Sequence, residues 1–294
     1  MIVITTPAGQ IGSQVLAHLL DSGEDLRVIV RDPAGIPADV RQGLDVVEGS
    51  HADAAVVDKA FAGADAVFWL TPPDPRAPSV DAAFVGFTRP AAEALRKHRV
   101  GRVVGISALG RGTAWADKAG YVTGSLAMDD LIASTGVAYR ALTNPSFMDN
   151  TIRQVPSIKN QGMFFSPIAG DRKLPTVATR DIAATAARLL LDSSWSGVGE
   201  VPSLGPEDLS FSDMAQIMSE VLRTEVRFQQ NTFEAYKERF VSFGMSDAMA
   251  QGMTDMAWAK NEGIDNAVQR TPENSTVTSF RQWSEEVLKP AVVS

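Results

Sequence analysis

The sequence predicts an α/β fold: a doubly wound parallel sheet followed by a smaller, mainly helical C-terminal unit. Three observations carry that expectation. Short β-branched runs alternate with helical patterns through the first half of the chain, as in successive βαβ units. The runs are apolar at consecutive positions, as strands covered on both faces must be. Beyond about residue 205 the strand signals fade and Met-rich helical segments take over.

Taken in order, the strands are Ile2–Thr5, Leu26–Arg31, Asp45–Glu48, Ala66–Leu70, Arg102–Ser107 and Ala138–Leu142. Between them Gln10–Ser22 puts Ile11, Val15 and Leu19 on one helical stripe, and Ser79–His98 and Gly124–Ser134 supply further helices. Right-handed crossovers then wind the sheet and leave a ligand crevice at the carboxyl ends of the first strands. Asn144–Arg172 is mixed, Thr179–Asp192 is helical, and Gly199–Leu204 is a late strand. Phe211–Leu222, Phe233–Phe243, Met245–Lys260 and Thr278–Leu288 are the C-terminal helices. The expected division is residues 1–143 with 174–204 as a nucleotide-binding unit, and 144–173 with 205–294 as a substrate-binding unit.

Composition narrows the function. A chain of 294 residues with 45% hydrophobic and 21% charged residues has the balance of a folded globule. A net charge of −8 speaks against a nucleic-acid partner and leaves a small molecule as the default. With no cysteine, and only His18, His51 and His98 as nitrogen ligands, no metal is expected. The first residues already form a strand without a signal-peptide pattern, and apolar runs such as Ala64–Leu70 fall far short of the roughly 20 residues of a membrane span. A cytoplasmic chain with no membrane partner is the expectation; a homodimer is left open.

The first strand runs into Thr6-Pro7-Ala8-Gly9-Gln10-Ile11-Gly12 and a helix opens at once. Such a turn offers a diphosphate the amides of Gln10 and Ile11 and the positive end of a helix dipole. Gly9 permits close approach of the phosphates, and Gly12 permits close packing of helix on strand. The usual leading glycine is replaced, by Thr6 in one register and Pro7 in the other. A ligand-free strand-to-helix turn is the plain alternative. The second strand ends in Arg31, 19 residues after Gly12, where a ribose-binding acidic residue belongs in an NAD site. A guanidinium there favours the 2′-phosphate of NADP(H), with NAD(H) open, unless Arg31 simply pairs with Asp32 at the surface.

In aggregate these and later motifs resemble the NmrA-like family of atypical short-chain dehydrogenase/reductase relatives, over nearly the whole chain. Val47–Asp53 resembles its turn after the third strand, with Ser50 and His51 beside adenine. Ala66–Pro73 is similar to its fourth strand, with Thr71 and Pro72 along the cofactor. Val103–Ser107 is similar to its fifth strand, Asn144–Asn150 to the loop bounding the substrate crevice, and Thr179–Ala183 and Thr278–Trp283 to its later motifs. The resemblance implies a Rossmann-type core with a nicotinamide nucleotide across the sheet and Asn144 near it. It also implies several roles. Some members reduce quinones or other conjugated carbonyls, some tailor aromatic polyketides, and some sense the NADP/NADPH balance without turnover.

The Tyr-x-x-x-Lys dyad of short-chain reductases is missing. Alignment puts Gly120 and Gly124 in its places, with Met128 where a Glu often follows. Tyr121 is one residue off, a rotation of about 100° on a helix. If Gly120–Gly124 is a loop, Tyr121 reaches the crevice as a proton donor; otherwise it packs. Lys118 is a remote substitute or a solvated loop residue. Ser107 either orients an amide or substrate oxygen beside the nicotinamide or caps a turn. His51 is a base or, more simply, part of its turn. Trp69, Trp115, Phe147, Met148, Phe164 and Phe165, with Met245, Met249, Met253 and Met256, offer a flat apolar pocket for an aromatic or quinonoid acceptor, or else a helix core stripe.

The sequence thus points to an NADP(H)-dependent oxidoreductase acting on a quinone or a polycyclic aromatic secondary metabolite. Two alternatives stand beside it. One is an aromatic-polyketide tailoring monooxygenase or coupling protein, as in antibiotic biosynthesis. The other is a non-catalytic NAD(P) redox sensor.

Overall fold

The computed structural model describes residues 1–294. Its first half runs β1 (Ile2–Thr5), α1 (Gln10–Leu19), β2 (Leu26–Val30), α2 (Ala38–Arg41), β3 (Asp45–Glu48), α3 (Ala54–Phe61), β4 (Ala66–Trp69), α4 (Phe87–His98), β5 (Arg102–Ala108), α5 (Tyr121–Ala133) and β6 (Ala138–Asn144). Then come β7 (Ser146–Phe147), α6 (Val155–Gln161), β8 (Met163–Ser166), β9 (Leu174–Val177), α7 (Thr179–Leu191), β10 (Val198–Pro202) and β11 (Asp208–Leu209). The chain ends with α8 (Phe211–Leu222), β12 (Arg227–Gln230), α9 (Phe233–Ser242), α10 (Asp247–Asn261), α11 (Phe280–Trp283) and α12 (Lys289–Val293). No helix is long and apolar enough to cross a membrane.

Seven strands form one parallel sheet in the order β10-β6-β5-β4-β1-β2-β3, so the winding reverses between β1 and β4. This is the Rossmann-type sheet expected from the sequence. One face carries Val3, Ile29, Val67, Val103 and Tyr139 against α3, α4 and α5. The other carries Ile4, Val28, Phe68, Val104 and Leu142 against α1 and α7. Alternate residues of each strand serve opposite layers, which is why the strands read as unbroken apolar runs.

Three local differences from expectation bear on the site. Leu174–Val177, assigned from sequence to the nucleotide-binding unit, lies outside the central sheet and pairs with β7 and β11. The helix expected over Gly124–Ser134 begins at Tyr121, so Gly120–Gly124 is not a loop. The helix ahead of α4 opens with a π segment, Ala82–Gly86, whose Phe84 packs on α5. Only half-buried or exposed residues occupy α9, while α10 buries Met249, Ala250 and Gly252 against the core.

Candidate functional site

The turn after β1 settles the register of the phosphate motif. Thr6 adopts φ 53°, the left-handed conformation that the leading glycine would occupy, and its carbonyl accepts the Gly9 amide at 2.9 Å. A Cβ on Gly12 would lie 2.1 Å from the same carbonyl oxygen, so only glycine lets α1 come this close. No side chain caps α1, and the amides of Gln10, Ile11 and Gly12 have no partner. Thr6 Oγ1 is buried beside the turn without a hydrogen bond. Free amides, an orphaned hydroxyl and a floor cleared of Cβ atoms fit a diphosphate.

Side chains beneath the turn fasten it to the crevice wall. Gln10 Nε2 donates to Asp149 Oδ1 at 2.8 Å, and Asp149 Oδ2 accepts the Thr179 amide at the start of α7 at 2.9 Å. Gln14 donates to Thr179 Oγ1. The Gln10 side chain is therefore engaged, and its backbone amide is left free.

Arg31 stands exposed just past the end of β2 and takes part in no ion pair; the Asp32 carboxylate instead accepts the Ala34 amide. The surface pair considered from sequence is absent, and the guanidinium is unengaged. Ser50 Oγ accepts the Ala52 amide within the turn after β3. His51 is buried, edge-on to Trp69 and Phe87, and its Nε2–H donates to the Leu70 carbonyl at 3.0 Å. Burial lowers its pKa to about 4, so it is a neutral brace between β3 and β4. At the β4 tip Thr71 turns inward, Oγ1 lying 3.2 Å from Met128 Sδ and 3.4 Å from Thr88 Oγ1, whereas Pro72 is exposed.

At the carboxyl end of β5 lies a buried polar cluster. Ser107 Oγ donates to Asp129 Oδ2 and lies 3.3 Å from Ser125 Oγ, while Tyr139 Oη donates to Asp129 Oδ1 at 2.6 Å. Tyr139 fits because Gly105 has no side chain: a Cβ there would fall 2.4 Å from the phenol oxygen. Arg111 stands 3.9 Å from Asp129 and is itself bound to Asp130 and Glu200. Desolvation outweighs the hydroxyl donors and pushes the Asp129 carboxyl up to about 7; burial beside it raises the Tyr139 phenol well above its ordinary value. Asn144 Nδ2 donates to the Ser107 and Leu142 carbonyls, leaving its buried Oδ1 without a partner.

On α5, Ser125 and Asp129 face Ser107, while Gly120 and Gly124, the aligned dyad positions, line a cavity and Met128 faces Thr71. Tyr121, Ser125 and Asp129 follow at i, i+4 and i+8 on α5. The Tyr121 ring packs edge-on to Phe84, its hydroxyl makes no hydrogen bond within the chain, and burial raises its pKa to about 12. Gly120 and Gly124 are contact points: a Cβ at Gly120 would meet the Gly252 carbonyl of α10, and one at Gly124 would meet Val80 and Phe84. Lys118 is exposed on the rim of a cavity of about 260 Å³ shared with Gly120, Gly124 and Asp255.

The proposed apolar pocket is largely core. Trp69 and Met249 are buried together under the sheet, Phe164 is buried among Phe211 and Phe228, and Trp115 stacks edge-on to Trp258. Met245 and Met256 pack on core clusters, so the methionine spacing is a packing stripe. Sequence reasoning missed Asp129, Tyr139, Arg111 and Asp149. The i, i+4 spacing of Ser125 and Asp129 was a signal, but it needed the helix rotation to be read. No cluster of three or more His, Asp or Glu side chains is arranged to hold a metal ion.

The chain is similar to several reductases of known name. The chain is 28% identical over 97% of both sequences to a (4-alkanoyl-5-oxo-2,5-dihydrofuran-3-yl)methyl phosphate reductase of Streptomyces griseus. It is 26% identical to an NAD(P)H azoreductase of Xenophilus azovorans, covering 87% of this chain and 86% of that protein. Its fold matches the NADPH complex of an NADPH-dependent quinone oxidoreductase of Escherichia coli with a TM-score of 0.81 at 21% identity, over 98% of this chain and 100% of the other. Residues 8–193 match the family described as NAD(P)H-binding, a span that includes Gly9–Gly12, Arg31 and the Ser107 cluster. The chain belongs to this NAD(P)H-binding family.

Proposed function

We propose that this chain is an NADP(H)-dependent reductase whose acceptor is a quinone or another electron-poor conjugated compound, polycyclic aromatic metabolites included. The observation that carries the cofactor half is the unengaged Arg31 guanidinium past the tip of β2, on the ribose side of the phosphate turn, with Asp32 occupied in its own turn. A 2′-phosphate gives Arg31 the charge-assisted partner it lacks. Within this reading, Gly9 and the amides of Gln10, Ile11 and Gly12 hold the diphosphate, Thr6 Oγ1 and Asn144 Oδ1 supply spare polar atoms, and Ser50 and Pro72 border the adenine and nicotinamide halves.

The relatives' printed activities support the acceptor class: a dihydrofuranone, an azo bond and a quinone each present an unsaturated bond that takes a hydride readily. Such acceptors need close stacking and exclusion of water more than a strong acid, in keeping with the absence of Tyr-x-x-x-Lys. That same absence favours a second reading, an NAD(P) sensor that binds without turnover.

Anaerobic NADPH oxidation, followed at the reduced-nicotinamide band with a panel of quinones, enones and azo dyes, tests the proposal. Turnover supports the reductase. Calorimetric binding with no turnover selects the sensor. A product heavier by one oxygen atom, formed in air, selects aromatic hydroxylation, and no heat with NADPH or NADH overturns the nucleotide reading.

A further inference from the structure

Reduction of a conjugated carbonyl or quinone consumes a hydride and a proton, and the chain lacks the Tyr/Lys pair that would supply the proton. We infer that Asp129 is the proton reservoir of this site, recharging the Ser107 hydroxyl that protonates the acceptor oxygen. The inference rests on the reductase reading and adds the proton path to it.

The geometry is specific. Ser107 is the last residue but one of β5, next to β4 and one strand from the winding reversal where ligands of such sheets bind. Its hydroxyl touches one carboxyl group, that of Asp129, which is 2% exposed. Tyr139 from β6 fixes the other carboxyl oxygen, and Ser125 from α5 stands beside Ser107. A brace between β5, β6 and α5 needs no ionisable group; an amide would bridge the same hydroxyls. Instead a carboxyl is held away from water by neutral donors, with the guanidinium of Arg111 at 3.9 Å and turned largely to Asp130 and Glu200. That environment makes both protonation states accessible near neutrality, with the carboxyl at about 7. Protonated, Asp129 donates to Ser107 and frees the Ser107 hydrogen to point outward. Ionised, it accepts that hydrogen. Arg111, 40% exposed in its side chain, and the partly exposed Asp130 and Glu200 line the way to solvent.

A nicotinamide held on the turn after β1 would supply the hydride, by which the acceptor gains two electrons. Its oxygen takes the Ser107 proton as the O–H bond of Ser107 breaks. Ser107 takes the Asp129 proton, and the Asp129 carboxylate is reprotonated from water past Arg111.

The test pairs a cofactor-free titration with kinetics. In the protein without nucleotide, ¹³C-carboxyl NMR, assigned by subtraction of Asp129→Asn, is expected to show Asp129 titrating near pH 7, and higher in Ser107→Ala, which removes a donor. In the acceptor assay kcat should fall above the same pH. Asp129→Asn should lower kcat at pH 6 on the order of 10²-fold, lose that pH dependence, and leave KM and NADPH affinity within about threefold. If Asp129→Asn does not fold, Ser107→Ala carries the kinetic arm. A carboxyl titrating below pH 5, or wild-type kcat and pH profile in the variants, overturns the relay while leaving the reductase standing. A wild-type protein that binds NADPH and reduces nothing in the panel overturns both.

Discussion

Gly12 lies directly beneath Thr6: an alanine Cβ at position 12 would fall 2.1 Å from the Thr6 carbonyl oxygen. Gly12→Ala must therefore push α1 off β1 or break the turn. The expected cost is about 1–3 kcal/mol of stability, with a loss of NADPH affinity of at least about tenfold. Thermal unfolding and calorimetric titration of one preparation check both; wild-type affinity would show that the turn does not carry the diphosphate.

Thr6 makes the opposite prediction. Its left-handed φ of 53° strains a β-branched residue. Thr6→Gly should gain roughly 0.5–1 kcal/mol, the relief of strain exceeding the added freedom of the unfolded chain. Equilibrium denaturation measures it. NADPH affinity should fall modestly if the orphaned Thr6 hydroxyl reaches a phosphate oxygen.

Removing the Arg31 guanidinium should separate the two coenzymes. Arg31→Ala is expected to weaken NADPH by about 1–3 kcal/mol more than NADH. Binding curves at low and moderate salt check this, and equal losses would discard the phosphate clamp.

His51 sets a pH dependence of stability. Its folded pKa, about 4, lies below the ordinary 6.5 because burial disfavours the charged ring. The unfolded chain therefore binds a proton between those values while the folded chain does not. Stability from this site is complete above about pH 6.5 and is lost as pH falls toward 4, by about 3 kcal/mol. In His51→Gln the difference in unfolding free energy between pH 7.5 and pH 4 should shrink by about that amount.

Breaking the Asp149 clip should be costly. This buried carboxylate accepts from Gln10 and from the Thr179 amide. Asp149→Ala leaves a helix-start amide and a side-chain donor unpaired, for about 2–4 kcal/mol, readable as a lowered denaturant midpoint. A change below 0.5 kcal/mol would mean that water replaces both bonds.

The central sheet was legible because each strand is apolar on both faces and each crossover carries a helix stripe, as Val3, Ile4 and the Ile11/Val15/Leu19 row illustrate. The turn before α1 and the place of Arg31 past the end of β2 were legible because one βαβ unit fixes their spacing. The small sheets were not. Strands β7 and β11 are two residues long, and β12, with its Arg and Gln residues, pairs with β8 across 60 residues of chain without any periodic signal. The Ser107–Asp129 contact was hidden for another reason. It depends on the phase of α5 against β5, where one residue turns a side chain by about 100° and separates Asp129 from Met128.

The link from Gln10 through Asp149 to Thr179 ties the turn after β1 to the start of α7, and the shared carboxylate is next in the chain to Met148. In the proposed reductase, two ligands that press on the ends of this short rod cannot bind independently. If coenzyme tightens the grip on the acceptor, the acceptor must tighten the grip on coenzyme by the same factor. That shared factor is then a property of the rod, and shortening Gln10 to alanine should bring it toward one.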